Sequence, residues 1–178
     1  ITLQPLKRFN FDAAIIFSDI LMLPYGLDQK VEFKKNFGPI LGKLNIDEIS
    51  QVKEIDFIKK VQQVYKAIKN VSNHDILKNK NTIGFVGAPW TILVYMINQQ
   101  SPKKHLKKNF FEDKNLIDNI LIIIEKFLKI HIKNQIDSGA NVIQIFDSWA
   151  GLLDDKDLPK YTYNPTSNLV KFTQSLNT

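Results

Sequence analysis

Three short apolar runs along the chain are separated by longer stretches in which apolar residues recur every three or four positions. The runs are AAIIFSDIL (13–21), TIGFVGA (82–88) and the start of NVIQIFDSWAG (141–151). Their branched and aromatic residues predict β-strands, and the third run has the pattern of a strand buried on both faces. The glycine and proline within VEFKKNFGPIL (31–41) predict a short hairpin.

The stretches between the runs predict amphipathic helices. These helices are expected near 57–68, from 89 through 95, and over 116–137. The serine and glycine at 138–139 follow the longest helix in the C-cap position. The asparagine and proline at 164–165 are the residue types of an N-cap and a first helical residue, and they predict one more helix.

Strands that alternate with helices predict an α/β fold built from parallel β/α units, about three of them, in one domain over residues 1–178. A (β/α)8 barrel and an open doubly wound sheet both fit this pattern. In a barrel the carboxyl ends of the strands form one face, and polar residues stand at these ends: Ser18 and Asp19 after the first run, Asp147 and Ser148 after the third. We therefore expect Asp19 and Ser148 on one rim.

Composition narrows the class of protein. With 44% hydrophobic and 24% charged residues, the chain has the composition of an ordinary globular protein, which favours a folded chain over a disordered one. It has no cysteine, which excludes disulfides and thiolate metal ligands within it and suits a reducing cytosol. The longest apolar run is broken by Glu125 and Lys126, and no signal peptide leads the chain, so we expect a soluble, cytoplasmic protein without membrane contact.

The net charge of +6 favours anionic partners. Lysines spread along polar helix faces are more typical of solubility than of nucleic-acid binding, so no nucleic-acid partner is expected. Four lysines are clustered after the helix that follows the second strand. They could attract a polyanionic substrate or simply occupy an exposed helix face. They are Lys103, Lys104, Lys107 and Lys108.

Several familiar chemistries do not fit. A nucleophile elbow needs glycine two residues before its serine, and Phe146 stands there before Ser148. The glycines of GFVGAPW have neither dinucleotide-binding spacing nor a phosphate-loop lysine, so they favour a tight turn beside a ligand. His74, His105 and His131 share no metal-ligand spacing, and we expect surface or partly buried structural roles for all three.

Three strings resemble successive signature segments of the uroporphyrinogen decarboxylase family in order and spacing: QPLKRFNFDAAIIFSDIL, IGFVGAPWTILVYM and QIFDSWAG. The resemblance implies a (β/α)8 barrel, of which this chain supplies roughly half, and a homodimer that uses no cofactor and no metal. It also implies the reaction. The four acetate side chains of uroporphyrinogen III lose carbon dioxide and become methyl groups, giving coproporphyrinogen III.

Asp19 matches the family's aspartate within FSDIL. Loss of carbon dioxide leaves a carbanion, and without a cofactor the electron sink is the substrate's own pyrrole, protonated on a ring carbon. A fixed carboxylate that accepts the ring N–H groups stabilises this cation. The structural alternative is that Asp19 caps a helix or turn.

The resemblance implies further substrate contacts. Tyr95 and Ser148 match positions whose hydroxyls bind substrate carboxylates, against the alternatives of a packed helix tyrosine and a simple cap. Asp147 is interpreted as a structural partner. Three phenylalanines are candidates for the pocket wall, although apolar strand residues are core by default. They are Phe17, Phe85 and Phe146.

The chain also departs from the family pattern. An arginine-bearing segment reading like M-R-Q-A-G-R would precede Ile1, and the later strands with a substrate-contacting histidine are not in this sequence. A glycine-containing turn is replaced by INQQSPKKH (97–105). Two alternatives stay open: a superfamily methyltransferase that binds zinc through histidine and cysteine, which the missing cysteines oppose, and a basic, non-catalytic binding module.

Overall fold

The computed structural model describes residues 1–102, 106 and 111–176. The α-helices are α1 (Leu3–Arg8), α2 (Met22–Gly26), α3 (Ile46–Gln51), α4 (Glu54–Ser72), α5 (Pro89–Asn98), α6 (Lys114–Asp137) and α7 (Asn164–Ser175). The strands are β1 (Ala13–Ile15), β2 (Val31–Lys34), β3 (Gly38–Leu41), β4 (Asn81–Gly87) and β5 (Val142–Phe146). Short 3₁₀ turns lie at Asp75–Leu77 and Ala150–Leu152. None of the described helices carries an apolar stretch long enough to cross a lipid bilayer.

The three predicted strands form one parallel sheet in the order β1-β4-β5. Ile15 pairs with Ile83, and Gly87 pairs with Phe146, so β4 is the central strand. The predicted hairpin is also confirmed, since β2 and β3 pair antiparallel. Parallel strands joined through helices confirm the α/β prediction, and the three-stranded sheet has the strand–helix–strand connections of parallel β/α units.

Helices cover one face of the sheet. Helix α4 packs on α6, and both contact β4. The predicted apolar stripe of α4 is buried here, and Phe57 lies with its ring centroid 4.9 Å from that of Phe127 in α6. Helix α6 approaches β4 closely at Gly84, where an added Cβ would lie 2.3 Å from Gln135 Oε1. The same Gln135 donates from Nε2 to the carbonyl oxygen of Phe85, at 3.1 Å.

The other face of the sheet is exposed in this chain. Ile15 retains 50% of its accessible surface, Phe17 75%, Val142 41% and Phe146 38%. The prediction that the third strand is buried on both faces is therefore wrong for this chain. Alternate side chains of a strand point to opposite faces, and only the face covered by helices is packed.

Two predicted boundaries differ from the structure. The first apolar run is strand only over Ala13–Ile15, because the chain turns at Asp19 and enters α2. The prediction that Asn164 is an N-cap is wrong. A π-helical turn at Pro159–Tyr163 leads directly into α7, so Asn164 already has helical dihedral angles. The longest helix ends as predicted, with Ser138 as C-cap and Gly139 at φ +110°, which glycine adopts readily.

His131 lies in α6 and is only 3% exposed, so it is more deeply buried than the predicted surface or partly buried position. Its Nδ1 is 2.9 Å from the hydroxyl of Tyr65 in α4, and its ring lies edge-on to Phe57. Burial lowers the pKa of His131 from 6.5 to about 4 and raises the pKa of Tyr65. Both groups are therefore neutral at pH 7, and the hydrogen bond joins α4 to α6.

This burial predicts loss of stability in acid. The unfolded chain binds a proton at His131 below pH 6.5, whereas the folded protein does so only near pH 4. The contribution of His131 to the free energy of unfolding should therefore be constant above pH 6.5. It should fall between pH 6.5 and 4, by up to about 3 kcal/mol. Denaturant unfolding of the complete protein against pH measures this, with His131→Gln as the non-titrating control. An equal acid slope in the two proteins would contradict the assignment to His131.

Candidate active site

The carboxyl ends of β1, β4 and β5 lie at one edge of the sheet because the strands are parallel. Asp19 follows β1, Tyr95 lies in the helix after β4, and Ser148 follows β5. Asp19 and Ser148 therefore lie at the same edge of the sheet, and Tyr95 lies within α5 with its ring centroid 6.1 Å from that of Trp149, which follows Ser148. Within the part of the chain that the structure describes, no hydrogen bond or ion pair links these three side chains to one another.

Asp19 shapes the turn that leads into α2. Its Oδ1 accepts a hydrogen bond from the backbone N–H of Leu21 at 2.8 Å, and its carbonyl oxygen accepts one from Met22 N at 3.2 Å. Asp19 therefore does cap this turn, as the structural alternative predicts, and the capping hydrogen bond fixes the orientation of its carboxylate. Asp19 also lines a groove of about 360 Å³ with residues of α2, α4 and the hairpin: Leu21, Met22, Tyr25, Val31, Phe33, Lys60 and Gln63.

Tyr95 is half-buried on α5, and its ring lies edge-on to that of Trp149, with centroids 6.1 Å apart. The helix ends at Asn98, and the C-cap residue Gln99, whose φ is +61°, donates its N–H to the Tyr95 carbonyl. Gln99 thus adopts the left-handed conformation that favours glycine, at the position where the sequence lacks the family's glycine-containing turn. Leu41 N donates to the carbonyl of Gln99 at 2.7 Å, which ties this turn to the hairpin.

Ser148 is exposed in the loop after β5, between two residues that are held by α5. Asp147 Oδ1 accepts a hydrogen bond from Thr91 Oγ1 at 2.7 Å, and Trp149 N donates to the same Oγ1 at 3.1 Å. Burial raises the pKa of Asp147, and the hydrogen bond from Thr91 acts in the opposite direction. Thr91 was not singled out from the sequence, because a lone threonine in a helix gives no signal of a contact with a strand end elsewhere in the chain.

The three phenylalanines lie on the exposed face of the sheet. The rings of Phe85 and Phe146 meet edge-on, with centroids 5.5 Å apart. Phe17 and Phe85 both line a cavity of about 540 Å³ between β1 and α1, which Thr2 and Leu6 also line. The structure therefore groups Phe17 with Phe85, and Phe85 with Phe146, along the carboxyl half of this face.

The remaining polar candidates are not part of this edge. His74 accepts a hydrogen bond from Ile76 N at 3.2 Å in a 3₁₀ turn, and His131 lies between α4 and α6. Among the described residues, no group of three or more histidine, aspartate or glutamate side chains is placed to hold a metal ion. His105 and the four lysines of the 103–108 stretch lie outside the described residues.

A family model described as uroporphyrinogen decarboxylase (URO-D) matches residues 1–178. The chain belongs to the uroporphyrinogen decarboxylase family. This confirms the family resemblance seen in the three signature strings, and it selects the barrel over the open doubly wound sheet.

Curated relatives give the same family. Uroporphyrinogen decarboxylase of Rickettsia bellii is 42% identical over 173 residues, which cover 96% of this chain and 51% of the relative. The uroporphyrinogen decarboxylase of Rickettsia rickettsii (strain Sheila Smith) is 40% identical over 172 residues, covering 96% of this chain and 49% of the relative. The chain thus spans about half the length of these relatives.

A solved structure shares the fold. A methyltransferase from Methanosarcina mazei superposes with a TM-score of 0.76 and 17% sequence identity, covering 99% of this chain and 52% of that chain. At this identity the similarity concerns the backbone architecture alone. It shows that the arrangement of helices around β1, β4 and β5 occurs in a second protein of different sequence.

Proposed function

We propose that the complete protein containing this chain decarboxylates the four acetate side chains of uroporphyrinogen III to give coproporphyrinogen III and carbon dioxide. The main support is the family match over residues 1–178, together with relatives about 40% identical that are named uroporphyrinogen decarboxylase. The placement of Asp19 and Ser148 at one edge of the sheet is compatible with a shared substrate site at the strands' carboxyl edge.

The proposed reaction needs a stabilised cation. A proton is added to a pyrrole carbon, the acetate C–C bond then breaks, and its electron pair flows into the ring as carbon dioxide leaves. A second proton on the exocyclic carbon forms the methyl group, and loss of the first proton from the ring carbon restores the aromatic pyrrole, so each carbon dioxide released consumes one proton. Asp19 is the proposed electrostatic stabiliser, because its carboxylate is already fixed by the hydrogen bond from Leu21 N and requires little reorganisation as charge develops.

The other proposed contacts bind rather than react. Tyr95 and Ser148 donate hydroxyl hydrogen bonds to substrate carboxylates, each a hydrogen bond to a charged group. The aromatic side chains Phe17, Phe85 and Phe146 form an apolar wall beside the ring. A wall of this kind excludes water and strengthens the interaction between the Asp19 carboxylate and the cationic ring.

Further properties are proposed from the family. The complete protein is a cytoplasmic homodimer that binds neither nucleic acid nor membranes and uses no cofactor or metal, and residues 1–178 belong to one domain. The alternative methyltransferase function has weaker support, because the structural neighbour of that name is 17% identical and therefore informs only the fold. A basic, non-catalytic module stays as the second alternative.

Cofactor independence gives a direct test. The complete protein, dialysed against a chelator, should convert uroporphyrinogen III to coproporphyrinogen III at the rate of the untreated protein, because the proposed electron sink lies in the substrate. Chromatography of the oxidised products measures the conversion. Activity that disappears with the chelator and returns with zinc would contradict the proposal and favour metal-dependent chemistry. Absence of any conversion would favour the non-catalytic module.

A further inference from the structure

The loop after β5 is fastened to the start of α5 by four hydrogen bonds, which we call the clamp. It joins residues 146–149 to residues 88–91. The four bonds run from Ala88 N to Phe146 O (2.7 Å), from Thr91 Oγ1 to Asp147 Oδ1 (2.7 Å), from Trp149 N to Thr91 Oγ1 (3.1 Å) and from Trp90 Nε1 to Trp149 O (2.9 Å).

Thr91 has the central position in the clamp. A backbone N–H can only donate, so the bond from Trp149 N makes the Thr91 hydroxyl an acceptor there. The single proton of that hydroxyl is directed to Asp147 Oδ1, so its only donor is used there. Thr91 is fully buried, so water cannot replace either partner without opening the structure. Breaking one bond of this pair therefore leaves a polar group unsatisfied.

The clamp holds both neighbours of Ser148 and leaves Ser148 itself exposed. Asp147 precedes it and Trp149 follows it, and both bind the same threonine hydroxyl. Tyr95 lies four residues after Thr91, on the same side of α5, and its ring contacts that of Trp149. One threonine thus connects the backbone around Ser148 with the helix face that carries Tyr95.

We infer that Thr91 and Asp147 are positioning residues, which set the distance and orientation between the Ser148 and Tyr95 hydroxyls so that both meet carboxylates of one substrate. This inference rests on the proposed function, since it gives these two hydroxyls a common ligand. A hydroxyl that moves out of reach of a substrate carboxylate loses a hydrogen bond to a charged group, and the clamp restricts such movement by joining the loop to a buried helix.

The test compares Thr91→Val with Thr91→Ser in the complete protein. Valine has the shape of threonine without the hydroxyl, whereas serine keeps the hydroxyl. Hydrogen exchange over residues 146–151 reports the clamp directly, and fluorescence titration with uroporphyrin, the oxidised form of the proposed substrate, reports carboxylate binding. Thr91→Val should speed hydrogen exchange in this segment. It should also weaken uroporphyrin binding and raise KM, each about tenfold, which is the equivalent of one lost hydrogen bond. Thr91→Ser should leave all three quantities near their wild-type values.

A double-mutant cycle with Ser148→Ala separates positioning from general stability. If Thr91 acts through Ser148, Thr91→Val should weaken binding by less than about threefold in the Ser148→Ala background, because the two substitutions are coupled. An undiminished loss in that background would overturn the inference, as would faster exchange with unchanged binding. Asp147→Ala, which removes the acceptor, provides the same comparison if Thr91→Val does not fold. Failure of the wild-type protein to decarboxylate uroporphyrinogen would refute the proposed function alone, since the exchange and titration results judge the clamp independently.

Discussion

Asp19→Asn in the complete protein should lower kcat by about a hundredfold or more, which is the size of effect expected when a preorganised electrostatic contact is removed. Asparagine retains an oxygen that can accept from Leu21 N, so the turn into α2 is kept while the negative charge is lost. The substrate dissociation constant should change little, because the charge is needed most when the pyrrole becomes cationic. Single-turnover rates and equilibrium titrations measure the two quantities separately.

Two further variants give this experiment its contrast. Asp19→Glu keeps the charge but moves it by one methylene, and misplacement of this order can cost about a hundredfold in rate. Tyr95→Phe removes one neutral hydroxyl and should mainly weaken binding, by roughly 1.5 to 3 kcal/mol. A folded Asp19→Asn protein that turns over at nearly the wild-type rate would show that Asp19 is a turn residue only.

The 178-residue chain on its own should self-associate and lack activity. Its sheet presents Ile15, Phe17 and Phe146 to solvent, and the outer edges of β1 and β5 are unpaired within the described sheet. Exposed apolar faces and open strand edges favour pairing with other chains. Sedimentation velocity over a range of concentrations should detect oligomers. Chemical denaturation should lack a single cooperative transition whose midpoint is the same at every protein concentration.

Matched substitutions test whether the sheet face causes the association. Phe17→Ser lies on that face and should shift the distribution towards monomer, whereas Phe37→Ser removes an equally exposed phenylalanine between the two hairpin strands and should not. Equal effects of both substitutions would assign the association to general surface hydrophobicity. A monomeric wild-type chain that unfolds cooperatively would contradict the prediction altogether.

Local patterns in the sequence were sufficient to predict most elements. The stripe through Phe57 and Ile68 predicts a helix because a period near 3.6 aligns those residues on one face, and α4 buries both. The burial of β5 could not be predicted in the same way. Periodicity records which residues are apolar, but whether a face is covered depends on what the chain packs against, and Phe146 keeps 38% of its surface exposed here. The π-helical turn at Pro159–Tyr163 cannot be predicted from Asn164 and Pro165, because an asparagine followed by a proline is typical of a helix start, whereas here α7 continues directly from that turn.

The candidate site shows the same limit. Asp19 and Ser148 were expected on one rim because parallel strands align their carboxyl ends, and that argument needs only the order of the elements. The contact between Thr91 and Asp147 spans 56 residues and depends on the depth at which α5 packs. The burial of His131 likewise depends on the angle between α4 and α6. Such long-range pairings carry no local signature in a single sequence.

The close approach of α6 to β4 at Gly84 limits how this protein can vary over evolutionary time. Even a methyl group there would displace the amide of Gln135, and it would also come within 3.2 Å of Ala140 Cβ. Gln135 in turn holds the carbonyl of Phe85, whose ring lies on the opposite face of the sheet. A change at Gly84 would thus be transmitted through β4 to Phe85, one of the three phenylalanines proposed to wall the site, so selection that keeps this glycine would also preserve the position of a ring on the face opposite to α6.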